Sequence, residues 1–317
     1  MNVPVTVSDS NQKTLLILNG NQATNDDVRA AVEARRATGK TVDVRVTWEN
    51  GDAARFVEEA AAAGYTHLVA GGGDGTLKLV AEALARTRSD ASLALMPLGT
   101  ANDFARAAGI PADPAEALAL LDTPAQPIDL IEADGEMFLN MATGGFGSQV
   151  TANTSSELKR VLGGTAYLLT GLTRFAEVRS AYGRFEGPDF EWEGEFLAMG
   201  IGNGRQAGGG HVLCPNAVVN DGMLDLTILP TPQDLMGTLG SWFSGGFASE
   251  DLFIRTRLPW VEVSASEGVD MNLDGEPMHS TKVRFVVRSA ALSVHLPTDS
   301  VLLGNPSTLL LTSDPVS

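Results

Sequence analysis

Four short strand-patterned runs, three of them followed by a helix-patterned stretch, constrain what the opening third of this 317-residue chain can fold into. Leu15-Leu16-Ile17-Leu18 is continuously apolar, the mark of a strand covered on both faces. Asn19-Gly20-Asn21 turns it, and Thr24 or Asn25 caps a helix over residues 26–36 with Val28, Ala31 and Val32 inward. Val42 to Val46 alternates as a strand and finishes at Thr47-Trp48. Asp52 opens a second helix that Gly64 stops. Strand 67–70 enters a glycine turn, Leu77, Val80 and Leu84 mark the next helix face, and strand 93–96 follows. This order requires a parallel, helix-covered sheet, with ligands at the carboxyl ends of its strands. Asn19, Thr47, the glycine turn and Pro97 all fall at that edge.

The glycine turn is Ala70-Gly71-Gly72-Gly73-Asp74-Gly75-Thr76. Glycine allows positive φ and close backbone approach, and the helix start beyond it offers N–H groups to an anion. A carboxylate there repels phosphate unless a cation lies between them, so the stretch suggests a nucleotide with a divalent metal. The plain alternative is a tight turn that only needs glycine. The string from Pro97 to Arg106 repeats the chemistry, with Gly99 and Thr100 followed by Asn102 and Asp103 at a second helix entrance. Asp129 follows a connection bracketed by prolines.

From there strands dominate, several alternating as Leu224, Leu226 and Ile228 do, which fits an antiparallel sheet with one wet face. The expected organisation is an α/β nucleotide domain over 1–130, a mainly β, sandwich-like domain over 131–303 with one helix over 158–177, and a loose tail over 304–317. A net charge of −17 argues against a nucleic-acid partner. The single cysteine, Cys214, rules out an intrachain disulfide, and the four scattered histidines have no ligand spacing. Without a leader pattern or a spanning apolar run, the expectation is a soluble cytoplasmic protein, peripheral to the inner membrane surface at most, with no transmembrane anchor.

Three strings resemble the signatures of diacylglycerol-kinase-type lipid kinases. They are Gly72-Gly73-Asp74-Gly75-Thr76, Pro97-Leu98-Gly99-Thr100-Ala101-Asn102-Asp103-Phe104-Ala105-Arg106 and Leu273-Asp274-Gly275-Glu276. Arg45-Val46-Thr47-Trp48-Glu49, Asn140-Met141-Ala142-Thr143-Gly144-Gly145-Phe146-Gly147, the glycine-rich stretch 202–210 and Leu213-Cys214-Pro215-Asn216-Ala217 resemble the bacterial YegS-like members in particular. The resemblance covers nearly the whole chain.

It implies an ATP cleft between the two domains and transfer of the γ-phosphate to a lipid hydroxyl, with Mg²⁺, or another divalent cation such as Ca²⁺, required. Phosphatidylglycerol is the acceptor it suggests; diacylglycerol and a sphingoid base are alternatives. By motif, ATP contacts fall on Thr47, Gly73, Asp74, Gly75, Thr76 and Thr100, with Leu77, Lys78 and Leu79 in the same stretch. Asp74, Asp103 and Asp129 take the place of an acidic network ordering metal-bound water, and Glu276 that of the general base. A second metal position maps onto Asp221 with the carbonyls of Val218 and Met223. Relatives usually carry Ile-Asn-Glu where Leu77-Lys78-Leu79 stands here, so Lys78 is either a phosphate cation or an exposed helix lysine.

Read without the resemblance, Asp274-Gly275 is a type I′ hairpin turn. Gly202-Asn203-Gly204-Arg205-Gln206-Ala207 satisfies a dinucleotide fingerprint on paper, but the following glycines give no helix, so a cleft loop is the better reading. Arg205 is then either an acceptor or phosphate contact or a surface arginine. The stretch 235–252, with Met236, Trp242, Phe243 and Phe247, is a membrane-dipping lip or a short core helix. The competing functions are NAD kinase, which shares the glycine turn, and a non-catalytic nucleotide-sensing module.

Overall fold

The computed structural model describes residues 12–145, 180–231 and 253–304. The helix expected over 158–177, the apolar stretch 235–252 with Trp242 and Phe243, and the tail beyond residue 304 lie outside the described residues.

The chain opens with β1 (Lys13–Leu18), α1 (Asp26–Ala37), β2 (Thr41–Val46), α2 (Asp52–Ala62), β3 (His67–Gly72), α3 (Asp74–Thr87) and β4 (Ser92–Pro97). Two short helices follow, α4 (Asp103–Ala108) and α5 (Pro114–Ala119). Strands then take over: β5 (Gln126–Ala133), β6 (Glu136–Phe138), β7 (Met141–Gly144), β8 (Ala181–Gly187), β9 (Phe190–Gly202), β10 (Gln206–Ala207) and β11 (His211–Val212). The last are β12 (Leu224–Pro230), β13 (Ile254–Leu258), β14 (Trp260–Leu273) and β15 (Glu276–Val294).

Two compact units result, and the chain passes between them more than once. The first holds the residues up to Gly99 with Ile110–Gln126 and Leu292–Pro297; the second holds Thr100–Gly109, Pro127–Ala291 and the residues from Thr298 on. Helix α4, directly after β4, thus belongs to the second unit, and the end of β15 to the first.

In the first unit β1 pairs in parallel with both β2 and β3, and β3 with β4. Val294 extends the far side beside Leu93, leaving β2 as the edge. Leu15, Leu16 and Ile17 are no more than 1% exposed, as a strand covered on both faces requires. Each such side chain contributes roughly 1.5–3 kcal/mol by leaving water. Leu16, Leu18, Val42, Val69 and Met96 pack with Val28, Ala31 and Val32 of α1 and with Leu118 and Leu121. Asn25 caps α1, accepting from the Asp27 and Val28 amides, and acidic residues at its start and arginines at its end suit the helix dipole.

The second unit is built on two long strands, β9 and β14, each paired antiparallel to both β7 and β8. β12 and β13 extend the β9 side, and β15 pairs along β14 with a bulge between Ser264 and Val269. Phe138, Phe185, Phe196 and Phe285 fill the core, with Phe185 edge-on to Phe196 at 5.2 Å. The sequence pattern missed β8 and β13. Gly183 and Gly187 interrupt the pattern of β8, and β13 is only five residues long, with Thr256 at its centre between two arginines. No described helix is long and apolar enough to cross a membrane.

Candidate functional site

At the carboxyl edge of the first unit's sheet, strand pairing continues into the loops. The Asn19 amide donates to the Gly71 carbonyl (2.8 Å), Thr47 N to Leu18 O (2.9 Å) and Leu98 N to Gly72 O (2.8 Å). Side chains then bridge the loop ends. The Asn19 amide group donates to Thr76 Oγ1 at 3.1 Å, and Gly20 N donates to Thr47 Oγ1 at 3.3 Å. Thr47, Gly20, Asn19 and Thr76 therefore form one relay across the ends of β2, β1 and β3. Each hydroxyl, accepting one bond, keeps a proton to donate.

The glycine turn works differently from the sequence expectation. None of its glycines adopts positive φ; what it needs is the missing Cβ. A Cβ on Gly72 would lie 2.4 Å from Thr76 Oγ1, and one on Gly71 2.9 Å from the Leu16 side chain. Gly73, extended at φ −93° and ψ −170°, is the N-cap of the 14-residue α3 and supplies no capping side chain. Asp74 and Gly75 form the first turn of α3, which is a ready anion position. Lys78 corrects the expectation of an exposed helix lysine: it is buried, as are Thr76 and Leu77, while Leu79 faces solvent. Lys78 falls one turn after Asp74, on the covered face of α3.

In the second unit, Thr100 is exposed, and its carbonyl accepts from the Arg106 guanidinium at 3.2 Å. The α4 N-cap is Asn102, at φ 50° without a side-chain capping bond. Asp103 instead receives Gly209 N (2.9 Å) and Gly210 N (2.6 Å) from the glycine-rich loop between β10 and β11. Asp129 is buried in β5 and accepts from Gly222 N (2.7 Å) and Ala290 N (2.8 Å). Burial pushes its carboxyl above the usual range, against the pull of those amides.

The chain at 218–223 is strapped down by Asp129 N to Val219 O (2.6 Å) and Val219 N to Leu302 O (2.9 Å). Asp221 accepts from Met223 N at 3.0 Å with one oxygen and from the Arg257 guanidinium with the other. Arg257 also donates to Asp225 at 3.3 Å, whose carboxyl burial pushes up to about 6. Asp221 thus has its charge countered by a residue of the chain. In the expected set Val218, Asp221 and Met223, Arg257 is the cation that stands on the one carboxylate. Among the described residues no group of three or more His, Cys, Asp or Glu side chains could hold a metal.

Asp274 and Gly275, at φ 50° and 105°, form a two-residue hairpin turn joining Leu273 to its partner Glu276. Asp274 is more than a turn residue. Its carboxylate accepts from the amides of Leu139 (2.8 Å), Asn140 (2.9 Å) and Met141 (2.7 Å) and so fixes the chain between β6 and β7. Glu276, next to this anchor, is exposed. Asn203, fully buried, donates to the carbonyls of Asp129 (2.9 Å) and Leu139 (2.8 Å), tying the same segment to β5. Arg205 donates to the carbonyls of Ala217 (2.9 Å) and Val301 (2.6 Å). Its guanidinium holds backbone together, and the strands β10 and β11 after it exclude the dinucleotide fingerprint.

The first unit therefore collects Thr47, Gly73, Asp74, Gly75 and Thr76, while the second carries Thr100, Asp103, Asp129, Arg205, Asp221 and Glu276. Sequence reasoning placed Asn19 at the right edge but missed its bond to Thr76. It missed the roles of Asn203 and Arg257 altogether, since their partners lie 64 to 74 and 32 to 36 residues away.

Comparison with known proteins divides the chain only once, and Thr100, Asp103 and Asp129 fall there with the first domain. Residues 13–133 match the family described as the diacylglycerol kinase catalytic domain, and residues 141–296 the YegS C-terminal NAD kinase beta sandwich-like domain. A Pseudomonas aeruginosa PAO1 protein named "Probable lipid kinase YegS-like" is 69% identical over 294 residues, 93% of this chain and 97% of that protein. A namesake from Pseudomonas fluorescens Pf-5 is 65% identical over 295 residues, 93% and 99% of the two chains. A crystal structure of a diacylglycerol kinase from Bacillus anthracis str. Sterne superposes with a TM-score of 0.72 at 21% identity, over 91% of this chain and 98% of that one, a likeness of fold.

Proposed function

The chain belongs to the YegS-like lipid kinases, which carry the diacylglycerol kinase catalytic domain, and on that premise we propose that it transfers the γ-phosphate of ATP to the hydroxyl of a membrane lipid, phosphatidylglycerol foremost. The observation that carries the donor half is the relay from Thr47 through Gly20 and Asn19 to Thr76 at the start of the uncapped α3. It fixes two hydroxyls and a helix N-terminus at one sheet edge, which is what a chain of phosphates requires.

Phosphoryl transfer asks a protein chiefly for positioning and charge stabilisation. The Gly73 to Thr76 backbone and the two threonine hydroxyls bind and orient phosphate. Glu276, exposed beside the Asp274 anchor, takes the proton of the lipid hydroxyl as it attacks. Bound together with ATP, Mg²⁺ would supply neutralisation of the phosphate charge. By motif, Asp74, Asp103 and Asp129 would be the carboxylates that order water for the cation, and the mechanism routes no step through a metal at Asp221. The lipid is reached by transient contact with a membrane surface.

Glu276→Gln tests the assignment: turnover with ATP, Mg²⁺ and phosphatidylglycerol vesicles should vanish while ATP affinity stays within about two-fold. Unchanged turnover would remove Glu276 from the mechanism.

A further inference from the structure

Trp48 is 93% exposed, an unusual place for so large an aromatic surface. Its backbone is nevertheless pinned. Trp48 N donates to Asp52 Oδ2 at 2.7 Å and Glu49 N to the same oxygen at 3.1 Å, while Thr47 N is held by Leu18 O. Asp52 is itself buried and bonded to Arg55. The indole is thus presented from a fixed loop. Elsewhere Trp192 packs on Phe185 and Phe196, and Trp260 takes Arg284 over its ring. Two further exposed apolar residues of the edge strand, Val44 and Val46, lead up to Trp48.

The position matters because of strand order. β3, β1 and β2 are neighbours in that order. The end of β2 therefore lies about two strand spacings, roughly 10 Å, from the glycine turn at the end of β3. That is the scale separating the base of a nucleotide from its outer phosphates. Thr47 and the Asn19 relay lie along the way. On the β4 side the residues leaving the strand, Leu98 and Gly99, offer no ring.

We infer that Trp48 is the stacking platform for the purine base of the nucleotide whose phosphates occupy the glycine turn. This rests on the reading of that turn as the ATP phosphate site. A π-face recognises any purine, so the ring sets affinity for the base and leaves the choice between adenine and guanine open.

The test is binding of ATP, GTP and inorganic tripolyphosphate to the full chain by calorimetry, with steady-state kinetics alongside. Trp48→Ala should weaken ATP and GTP alike by about ten-fold, equivalent to ~1.4 kcal/mol. It should raise KM for ATP by the same factor and leave both kcat and tripolyphosphate affinity unchanged. Trp48→Phe, which keeps a ring, should retain most of the affinity. If Trp48→Ala binds ATP as the wild type does, the inference is overturned while the phosphate site stands. If the wild type binds neither ATP nor tripolyphosphate, the phosphate site itself falls and the inference with it. If Trp48→Ala instead loses sedimentation with phosphatidylglycerol vesicles at unchanged ATP affinity, the ring is a lipid anchor and the stacking role is refuted.

Discussion

Asp274 offers a quantitative test of how the second unit places Glu276. Its carboxylate receives three backbone amides, two on one oxygen and one on the other, at 2.7 to 2.9 Å. Asp274→Asn keeps the shape and tolerates the φ of 50° that the turn imposes. It retains one acceptor oxygen, so the amides of Leu139 and Asn140 can stay bonded while the new NH₂ faces Met141 N–H. One charge-assisted bond is lost and two are weakened, a cost of about 3 kcal/mol. Asp274→Ala loses all three and places a Cβ-bearing residue without a local partner at positive φ, adding ~1 kcal/mol. Hydrogen exchange reads this residue by residue: the Leu139, Asn140 and Met141 amides should lose protection together, while those of β1 and β3 keep theirs. Turnover should fall with ATP affinity intact, because the hairpin carrying Glu276 is loosened and the donor edge is not. Asp274→Asn within about 0.5 kcal/mol of wild type in urea unfolding, well below the expected loss, with those amides still protected, would refute the anchor.

Three further outcomes follow. Gly72→Ala drives a methyl into Thr76 and breaks the Asn19 bond, so it should cost ~1–3 kcal/mol and weaken ATP binding at least ten-fold, with Gly72→Ala/Thr76→Ala recovering stability but not affinity. Arg257→Gln strips the counter-ion from Asp221 and Asp225; because Arg257 is partly exposed the loss should be about 2 kcal/mol, below the range for fully buried pairs, and millimolar Ca²⁺ should raise Tm in this variant but not in the wild type. His67, stacked on His295 at 5.4 Å, is held by burial and its neighbour's charge down to about 4, so it is neutral in the fold. A histidine depressed in this way takes up protons more readily when unfolded; its contribution is whole above pH ~6.5 and is lost as pH falls towards 4, by on the order of 1 kcal/mol after discounting for partial exposure. The urea midpoint should drop between pH 7 and 5, and less so in His67→Gln.

The parallel sheet was legible because its signal is local. Leu15 to Leu18 reads as doubly buried from composition alone, and Asn25 announces α1 by its own side chain. The glycine turn was legible as a place but not as a mechanism: positive φ was expected where the structure uses bare Cα atoms against Thr76 and Leu16. Lys78 was misjudged because a helix of Leu-Lys-Leu-Val leaves its covered face to tertiary packing. Most hidden were the polar anchors. Asp274 reaches back 133 to 135 residues and Asp129 forward 93 and 161, and no spacing rule connects such pairs. The signature Leu273-Asp274-Gly275-Glu276 looked like one chemical unit. The structure divides it into an anchor, a turn and an exposed carboxylate.

The measurement that bears most directly on the whole account is product identification after incubating the chain with γ-labelled ATP, Mg²⁺, phosphatidylglycerol vesicles and, separately, NAD. Label appearing in a phosphorylated lipid, absent with Glu276→Gln, is the predicted result. Label passing to NAD, or ATP bound and returned without transfer to any lipid, would contradict it.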